Sequence, residues 1–251
     1  MTRIILNGCC GRMGRMISEI SAGDKDFEIV AGADVYDNKK NEYPVYPEIS
    51  GCNEEADVIV DFSLPDSLEK LLSYAVTRKL PVVLCTTGLN EEQLSKVKEA
   101  SGKVAILRSA NMSLGINILL KVLKSISPVL SENGFDIEIV EKHHREKKDA
   151  PSGTALALAE AVNDSLNEKK DFVYDRSRRS ERRPDSEIGI SAVRGGTIPG
   201  DHDIIFAGED EVITLSHRAY SRAVFAKGAL AAAAYLKDKA PGMYDMGDVL
   251  K

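Results

Sequence analysis

The chain opens with a short apolar strand, Arg3-Ile-Ile-Leu6, that runs directly into Asn7-Gly8-Cys9-Cys10-Gly11-Arg12-Met13-Gly14 and on into a helix carrying Met16, Ile17 and Ile20. A strand, a glycine turn and a helix, in that order, form the unit in which backbone N–H groups and a helix N-terminus hold a pyrophosphate. The glycine spacing departs from G-x-G-x-x-G. Gly8 suits the tight turn and Gly14 the close packing of helix on strand, but Cys10 stands where the second glycine lets a backbone approach the phosphates, a role that Gly11 can take. Taken alone, such a run is also a plain strand-to-helix turn. The next strand, Phe27 to Ala33, ends at Asp34, 20 residues after Gly14. That is the offset at which a carboxylate accepts hydrogen bonds from an adenosine ribose. A turn cap is the other reading of Asp34. An acid there disfavours a 2′-phosphate and so favours NADH, while Lys39 and Lys40 nearby leave NADPH open.

The alternation continues with strand Val58 to Phe62, helix Ser67 to Arg78, strand Val82 to Cys85, helix Asn90 to Ser101 and strand Val104 to Leu107. Asn90 with Gln93 has the form of a capping box. Repeated strand and helix units of this length predict a parallel sheet covered on both faces, with ligands at the carboxyl ends of its strands. Three loops leave those ends, 61–65, 85–88 and 109–112. Thr86, Thr87 and Asn111 have the size and polarity to meet a nicotinamide ribose or carboxamide, and each is equally suited to cap a helix.

After an amphipathic helix over 114–130 the pattern changes. Phe135, Ile137, Ile139 and Glu141 share one parity and Asp136, Glu138 and Val140 the other, as in a half-buried strand. At its end His143, His144, Arg145, Lys147 and Lys148 crowd into six positions of a chain with four histidines. Asp149, Ala150 and Pro151 then stop the strand, and Ser152, Gly153 and Thr154 open an alanine-rich helix whose first N–H groups face the same place. Cations beside a helix N-terminus predict an anionic ligand. In an extended chain His143 and Lys147 share parity, whereas His144 joins them only if the strand stops near His143. Surface histidines in a basic turn are the alternative. The charged stretch 169–185, with Arg176, Arg178, Arg179, Arg182 and Arg183 among Asp171, Asp175 and Glu181, reads as a solvated loop rather than an anion site. Strands at 188–194, 203–207 and 211–217, joined by glycine turns, predict an α+β second domain with an antiparallel or mixed sheet. A last helix, 223–237, is expected to pack back on the first domain. The expected division is 1–112 with 218–251 for the dinucleotide and 113–217 for substrate and oligomerisation.

Composition removes several function classes. A net charge of −6 argues against nucleic acid as partner. No apolar run is expected to reach the roughly 18 residues of a membrane span, and Met1 to Leu6 lead into a strand rather than a leader, so the chain reads as cytoplasmic. Cys9, Cys10, Cys52 and Cys85 have no zinc-type spacing and adjacent histidines seldom share an ion, so no metal is expected. Ser152 lies outside any G-x-S-x-G elbow, and Cys85 has no activating neighbour in sequence. A dinucleotide site and a basic anion site together point to reduction of a small anionic substrate, with a proton or cation meeting the charge left by hydride transfer.

The segment Glu141-Lys-His-His-Arg-Glu-Lys-Lys-Asp-Ala-Pro-Ser-Gly-Thr-Ala155, with Gly8-x-x-Gly11-Arg-Met-Gly14, closely resembles the 4-hydroxy-tetrahydrodipicolinate (dihydrodipicolinate) reductase family of diaminopimelate and lysine biosynthesis. The likeness extends to 61–63, 86–88, 110–113, 194–196 and 244–246, almost the whole chain. It implies a Rossmann-like domain plus an α+β domain, reduction of a cyclic dicarboxylate imine by NADH or NADPH, and a homotetramer built through the second sheet. It also implies His143 as catalytic histidine, Lys147 as proton donor, and His144, Gly153 and Thr154 as carboxylate ligands. Gly8, Cys9, Cys10, Gly11, Arg12, Met13, Asp34, Cys85, Thr86, Thr87, Ser109, Ala110, Asn111 and Met112 match cofactor-binding positions. Departures are the Cys9-Cys10 pair in place of small residues, Cys85 where glycine is common, and Val35 where some members carry an arginine for the NADP phosphate. Another two-domain nicotinamide dehydrogenase and a non-enzymatic dinucleotide sensor are the competing readings, and a poised His143, His144 and Lys147 count against a sensor.

Overall fold

The computed structural model describes residues 1–36, 41–177 and 179–250. The chain divides into two compact units, Met1–Leu114 with Arg222–Lys251, and Gly115–Ser221. In the first, strands β1 (Thr2–Asn7), β2 (Phe27–Ala33), β3 (Val45–Tyr46), β4 (Val58–Asp61), β5 (Val82–Leu84) and β6 (Ala105–Leu107) alternate with helices α1 (Arg12–Ala22), α2 (Leu68–Arg78) and α3 (Glu91–Ser101). All pairings are parallel, and β1 lies beside both β2 and β4. The chain therefore winds outward in both directions from the β1/β4 junction, and at such a reversal the carboxyl ends of the strands part to leave a crevice.

Each strand is apolar on both faces because both are covered. Ile4, Leu6, Val58 and Val60 join a core with Ile17 of α1, whereas Ile5, Ile59 and Val82 join Leu68, Leu71 and Ala75 of α2 and Val97 of α3. Asn90 caps α3 in the expected box, its side chain accepting from the Gln93 backbone at 2.8 Å while its own N–H donates to the Gln93 side chain at 3.0 Å.

The second unit is built on helix α4 (Leu114–Glu132), β7 (Asp136–His143), α5 (Gly153–Ser165), β8 (Asp171–Val173), β9 (Glu187–Arg194), β10 (Asp201–Ala207) and β11 (Val212–Arg218). Its sheet runs β11-β10-β7-β9-β8, antiparallel on the β10 side of β7 and parallel on the β9 side. The sheet is mixed, but β9 and β10 are not neighbours, because β7 sits between them. One face of β7, Ile137 and Ile139, packs on Leu158, Ala159 and Val162 of α5 and Leu123 of α4.

Two expectations are corrected here. Over 114–132 the helix is long and apolar enough by composition to cross a membrane. In this unit its Leu119, Leu120, Leu123, Ile126 and Leu130 pack against the core of the second sheet, while Ile118, Val122 and Val129 are exposed. The stretch 169–185 is also more than a solvated loop. Asp171–Val173 forms an edge strand, and Arg176 and Arg179 pair with the buried Glu187 at 2.5 and 2.7 Å, while Arg183 holds Asp136 and Glu138. These arginines take the protein's own carboxylates; Arg178 lies outside the described residues.

After the second unit the chain re-enters the first through α6 (Ala223–Leu236), β12 (Gly242–Tyr244) and α7 (Met246–Val249). β12 extends the parallel sheet beside β6, giving seven strands in the order β12-β6-β5-β4-β1-β2-β3. Ala226, Ala229, Leu230, Ala233 and Leu236 of α6 complete the core over α1. At Gly228 the helix meets the Met112 carbonyl so closely that a Cβ would lie 1.7 Å from its oxygen. Gly228→Ala is therefore expected to destabilise the first unit by about 2–3 kcal/mol, an overpacking penalty, read as a fall in the urea midpoint at unchanged slope.

Candidate active site

In the first unit the glycine turn closes on β4. Gly8 has φ 79°, and a Cβ on it would lie 2.6 Å from the Phe62 carbonyl oxygen; one on Gly14 would lie 2.3 Å from the Gly8 oxygen. Both positions need glycine for close contact, and Gly8 for its left-handed backbone as well. Gly11 caps α1 with no side-chain partner at the cap, and Arg12 and Met13 form its first turn, so the helix N–H groups open toward the turn. A cavity of about 570 Å³ lies here, lined among others by Gly8, Cys10, Gly11, Asp34, Phe62 and Ser63. Asp34 sits at its rim, Oδ2 accepting from the Cys10 N–H at 2.9 Å and Oδ1 from the Tyr36 N–H at 3.1 Å. A carboxylate has about four acceptor directions, so both the cap and the ribose reading can hold at once. Lys39 and Lys40 lie outside the described residues. The cradle left by glycines, the uncapped helix start and the carboxylate at the strand end fit a dinucleotide.

The other predicted cofactor positions divide. Thr87 and Ala110 are exposed on the loops after β5 and β6, with Ser109 half-buried and Met112 buried in the core. Asn111 makes a turn, its Oδ1 accepting from the Ser113 N–H at 2.8 Å. Thr86 is buried, and its hydroxyl donates to Asp61 at 2.6 Å. Asp61, not singled out from sequence, is fully buried and also accepts from Asn7 at 2.8 Å and Ser63 at 2.6 Å. Burial pushes its carboxyl up, against those hydrogen bonds. This knot ties the ends of β1 and β4 to the loop after β5. Burial, with the nearby Asp61 charge, also holds the Cys85 thiol far above its ordinary range. It is a packing group and not a nucleophile.

In the second unit β7 ends at His143, as the convergence of the basic segment requires. Glu141, fully buried one pleat earlier, accepts from Arg194 at 2.7 and 2.8 Å, from the Ser152 N–H at 3.0 Å, and meets His143 Nδ1 at 2.5 Å. Burial alone would raise the Glu141 carboxyl, but Arg194, His143 and the Ser152 amide outweigh it and hold it below the usual range. An ionised carboxylate only accepts, so His143 Nδ1 carries the proton and Nε2 the lone pair. Burial lowers the His143 pKa, helped by the Lys147 and Arg194 charges and opposed by Glu141. The segment beyond is folded back by the Lys147 N–H on the His144 carbonyl and the Arg145 N–H on the Gly196 carbonyl.

His144 is half-buried, and its Nδ1 is buried without a hydrogen-bond partner among the described residues. Lys147 Nζ lies 2.9 Å from Asp149. Burial tends to raise that carboxyl, but Lys147 and the Gly153 N–H hold it below its ordinary range. Two of the groups expected to take an anion thus hold Asp149. Thr154 follows in the first turn of α5, where Ser152 supplies the N-cap by accepting from the Ala155 N–H at 3.1 Å.

Sequence reasoning missed Arg194 as the partner of Glu141, and His202 altogether. His202 stands opposite Glu141 across the β10–β7 pair, its ring 5.2 Å from that of His143 and edge-on, with Nε2 3.2 Å from the Ser152 hydroxyl. The only sequence signal was its parity with the apolar residues Ile204 and Phe206 of the same strand.

Comparison with known proteins covers both units. Residues 2–112 match the family model for the N-terminus of dihydrodipicolinate reductase, and 115–250 the model for its C-terminus. The chain is 52% identical over 255 residues to the 4-hydroxy-tetrahydrodipicolinate reductase of Caldanaerobacter subterraneus subsp. tengcongensis, covering 100% of this chain and 99% of the relative. It is 50% identical to the protein of that name from Clostridium novyi, with the same coverage. Among solved structures, the dipicolinate-bound dihydrodipicolinate reductase from Paenisporosarcina sp. TG-14 shares the fold at 23% identity. Its TM-score is 0.80, and the alignment covers 98% of this chain and 97% of that one.

Burial, reinforced by the His143 charge, lowers the His202 pKa from 6.5 to about 4. The neutral ring therefore favours the fold fully above about pH 6.5, and that contribution is lost as pH falls through the window toward 4, because the unfolded chain binds the proton first. Between pH 7.5 and 5 this costs about 2 kcal/mol. In His202→Gln, the urea-measured loss of stability over that interval is expected to be smaller by about this amount; an unchanged loss would place the titration elsewhere.

Proposed function

The chain belongs to the dihydrodipicolinate reductase family, and from that membership we propose that it reduces 4-hydroxy-tetrahydrodipicolinate to tetrahydrodipicolinate with a nicotinamide dinucleotide, a hydride and a proton entering as the 4-hydroxyl leaves as water. This is a step of diaminopimelate and lysine biosynthesis. In this reading Met1–Leu114 with Arg222–Lys251 takes the dinucleotide and Gly115–Ser221 the dicarboxylate. The observation that carries it is the basic segment after β7, where a histidine oriented by a buried ion pair stands with His144, Lys147 and the N-terminus of a 13-residue helix.

The turn from Gly8 to Met13 would take the pyrophosphate and Asp34 the adenosine ribose, with the loops carrying Cys85, Thr86, Thr87 and residues 109–112 toward the nicotinamide end. When bound, the dinucleotide supplies the hydride. The chain's own part is to hold the substrate and deliver the proton. His144 and the Gly153 and Thr154 amides bind carboxylate oxygens, and the orphaned His144 Nδ1 is suited to one. Asp149 must yield its hold on Lys147 and the Gly153 amide to the substrate. Lys147 then donates the proton. His143, fixed by Glu141, keeps its lone pair at Nε2 and stabilises negative charge on taking up a second proton.

The finer reading is NADH in preference to NADPH, supported by Asp34 and by Val35, which offers no cation to a 2′-phosphate. A homotetramer through the second sheet is supported by β11, an edge strand that exposes Val212 and Ile213.

Addition of freshly generated hydroxytetrahydrodipicolinate is expected to oxidise NADH; no turnover with either nucleotide would sink the reading. Lys147→Ala should lower kcat by about 10²–10⁴-fold at saturating substrate, and near-normal turnover would remove lysine from the proton step. Asp34→Ala should reduce the ratio of kcat/KM for NADH over NADPH by about tenfold, the worth of one charge-assisted hydrogen bond. An unaltered ratio would mean that the carboxylate serves only as a turn cap.

A further inference from the structure

The thiols of Cys9 and Cys10 have no part in the proposed reaction, yet they lie in the turn where the dinucleotide is placed. Its sulfurs are 3.8 Å apart, and both lie within 4.8 Å of a carboxylate oxygen of Asp34. Tetrahedral coordination with metal–sulfur bonds of about 2.3 Å places two thiolates about 3.8 Å apart, so the pair already has the spacing of one coordination edge. We propose that Cys9, Cys10 and Asp34 form a binding site for a soft divalent cation such as Zn²⁺ or Cd²⁺, exclusive of the dinucleotide.

Spacing along the chain hides this site, because the third donor comes from the end of β2, 24 residues beyond Cys10. The donors are held in place before any ion arrives. The Cys9 sulfur lies so close over Gly32 that a Cβ there would be 2.6 Å from it, and the Cys10 N–H binds Asp34 at 2.9 Å. Cys9 is fully buried, but Cys10 and Asp34 both line the 570 Å³ cavity, which supplies an entry path. The Asn41 side-chain nitrogen lies 3.6 Å from the Cys10 sulfur and 4.0 Å from that of Cys9. Turning that amide over presents its oxygen as a fourth ligand.

Paired thiolates select soft cations over Mg²⁺ or Ca²⁺. Thiolate is the ligating form of cysteine, so an incoming cation displaces the thiol protons of the pair. Binding follows M²⁺ + 2 R–SH + R–COO⁻ → complex + 2 H⁺, with no change of oxidation state and a net charge of −1 on the occupied site. An ion on Asp34 competes with the ribose for the two acceptor directions that the Cys10 and Tyr36 N–H groups leave, and adds bulk beside the Gly8–Gly11 turn. That exclusivity rests on the dinucleotide reading of the cavity; binding of the ion does not.

The test is titration of the metal-free full chain with Cd²⁺, read by thiolate-to-metal charge-transfer absorbance and by proton release. One equivalent bound with two protons released is expected, and no thiolate band in the wild-type chain overturns the site. Cys9→Ser/Cys10→Ser should abolish the band, whereas persistence would assign it to Cys52 or Cys85. Because serines in this turn can unfold the unit, Asp34→Asn is a second arm, expected to keep the band with affinity lowered at least tenfold; wild-type affinity would remove the carboxylate from the site. Saturating NADH should abolish the band, and a band that survives bound NADH overturns the exclusivity. If NADH fails to bind the metal-free chain, the dinucleotide reading falls while the Cd²⁺ titration still decides the ion site.

Discussion

The second unit depends on one buried carboxylate. Glu141 is fully buried on the central strand β7 and is satisfied from three directions, by Arg194 on β9, by the Ser152 amide at the start of α5 and by His143 on its own strand. A buried charge is tolerated only when paired and hydrogen-bonded, so each partner is held where it stands. Arg194 reaches further, to the Asp149 carbonyl at 2.5 Å, and thereby fixes the loop that carries Lys147 back to the helix N-terminus. Orientation of the imidazole, closure of the basic loop and docking of α5 on the sheet follow from the satisfaction of a single group.

Asp61 does comparable work in the first unit with neutral partners. Asn7, Ser63 and Thr86 converge on it from the ends of β1 and β4 and the loop after β5. Burial outweighs its neutral donors and its pKa moves up, whereas that of Glu141, paired with Arg194, moves down. The contrast sets their functions apart. Asp61 locks strand ends under the nucleotide turn, and Glu141 keeps a charge that aligns an imidazole. Asp149 adds a third case, an exposed carboxylate held by Lys147 and the Gly153 amide.

Much of this was legible in the residues. Period-two patterning gave β7 with the correct buried parity, and Asn90 with Gln93 announced the α3 cap. Other features escaped for identifiable reasons. β12 is three residues long, too short for periodicity, and exists because β6 offers a parallel edge. Arg176, Arg179 and Arg183 looked solvated because the carboxylates that bind them, Glu187, Glu138 and Asp136, lie in other strands. The acceptor of the Thr86 hydroxyl, a buried aspartate 25 residues earlier, was likewise out of reach of any local pattern.

By itself the sequence determined what local chemistry can determine: the alternation of strands and helices, the glycines required at the nucleotide turn, and the histidine, lysine and helix start crowded into one segment. Each depends on neighbours within a few residues, through backbone sterics, capping or side-chain parity. Tertiary structure alone decided the partners of the buried polar groups and the order of the strands. Arg194 lies 53 residues from Glu141, His202 59 residues from His143, and β7 is threaded between β9 and β10. No local term selects such pairings. They arise because a carboxylate or imidazole taken out of water must find its partner wherever the packed sheet brings one.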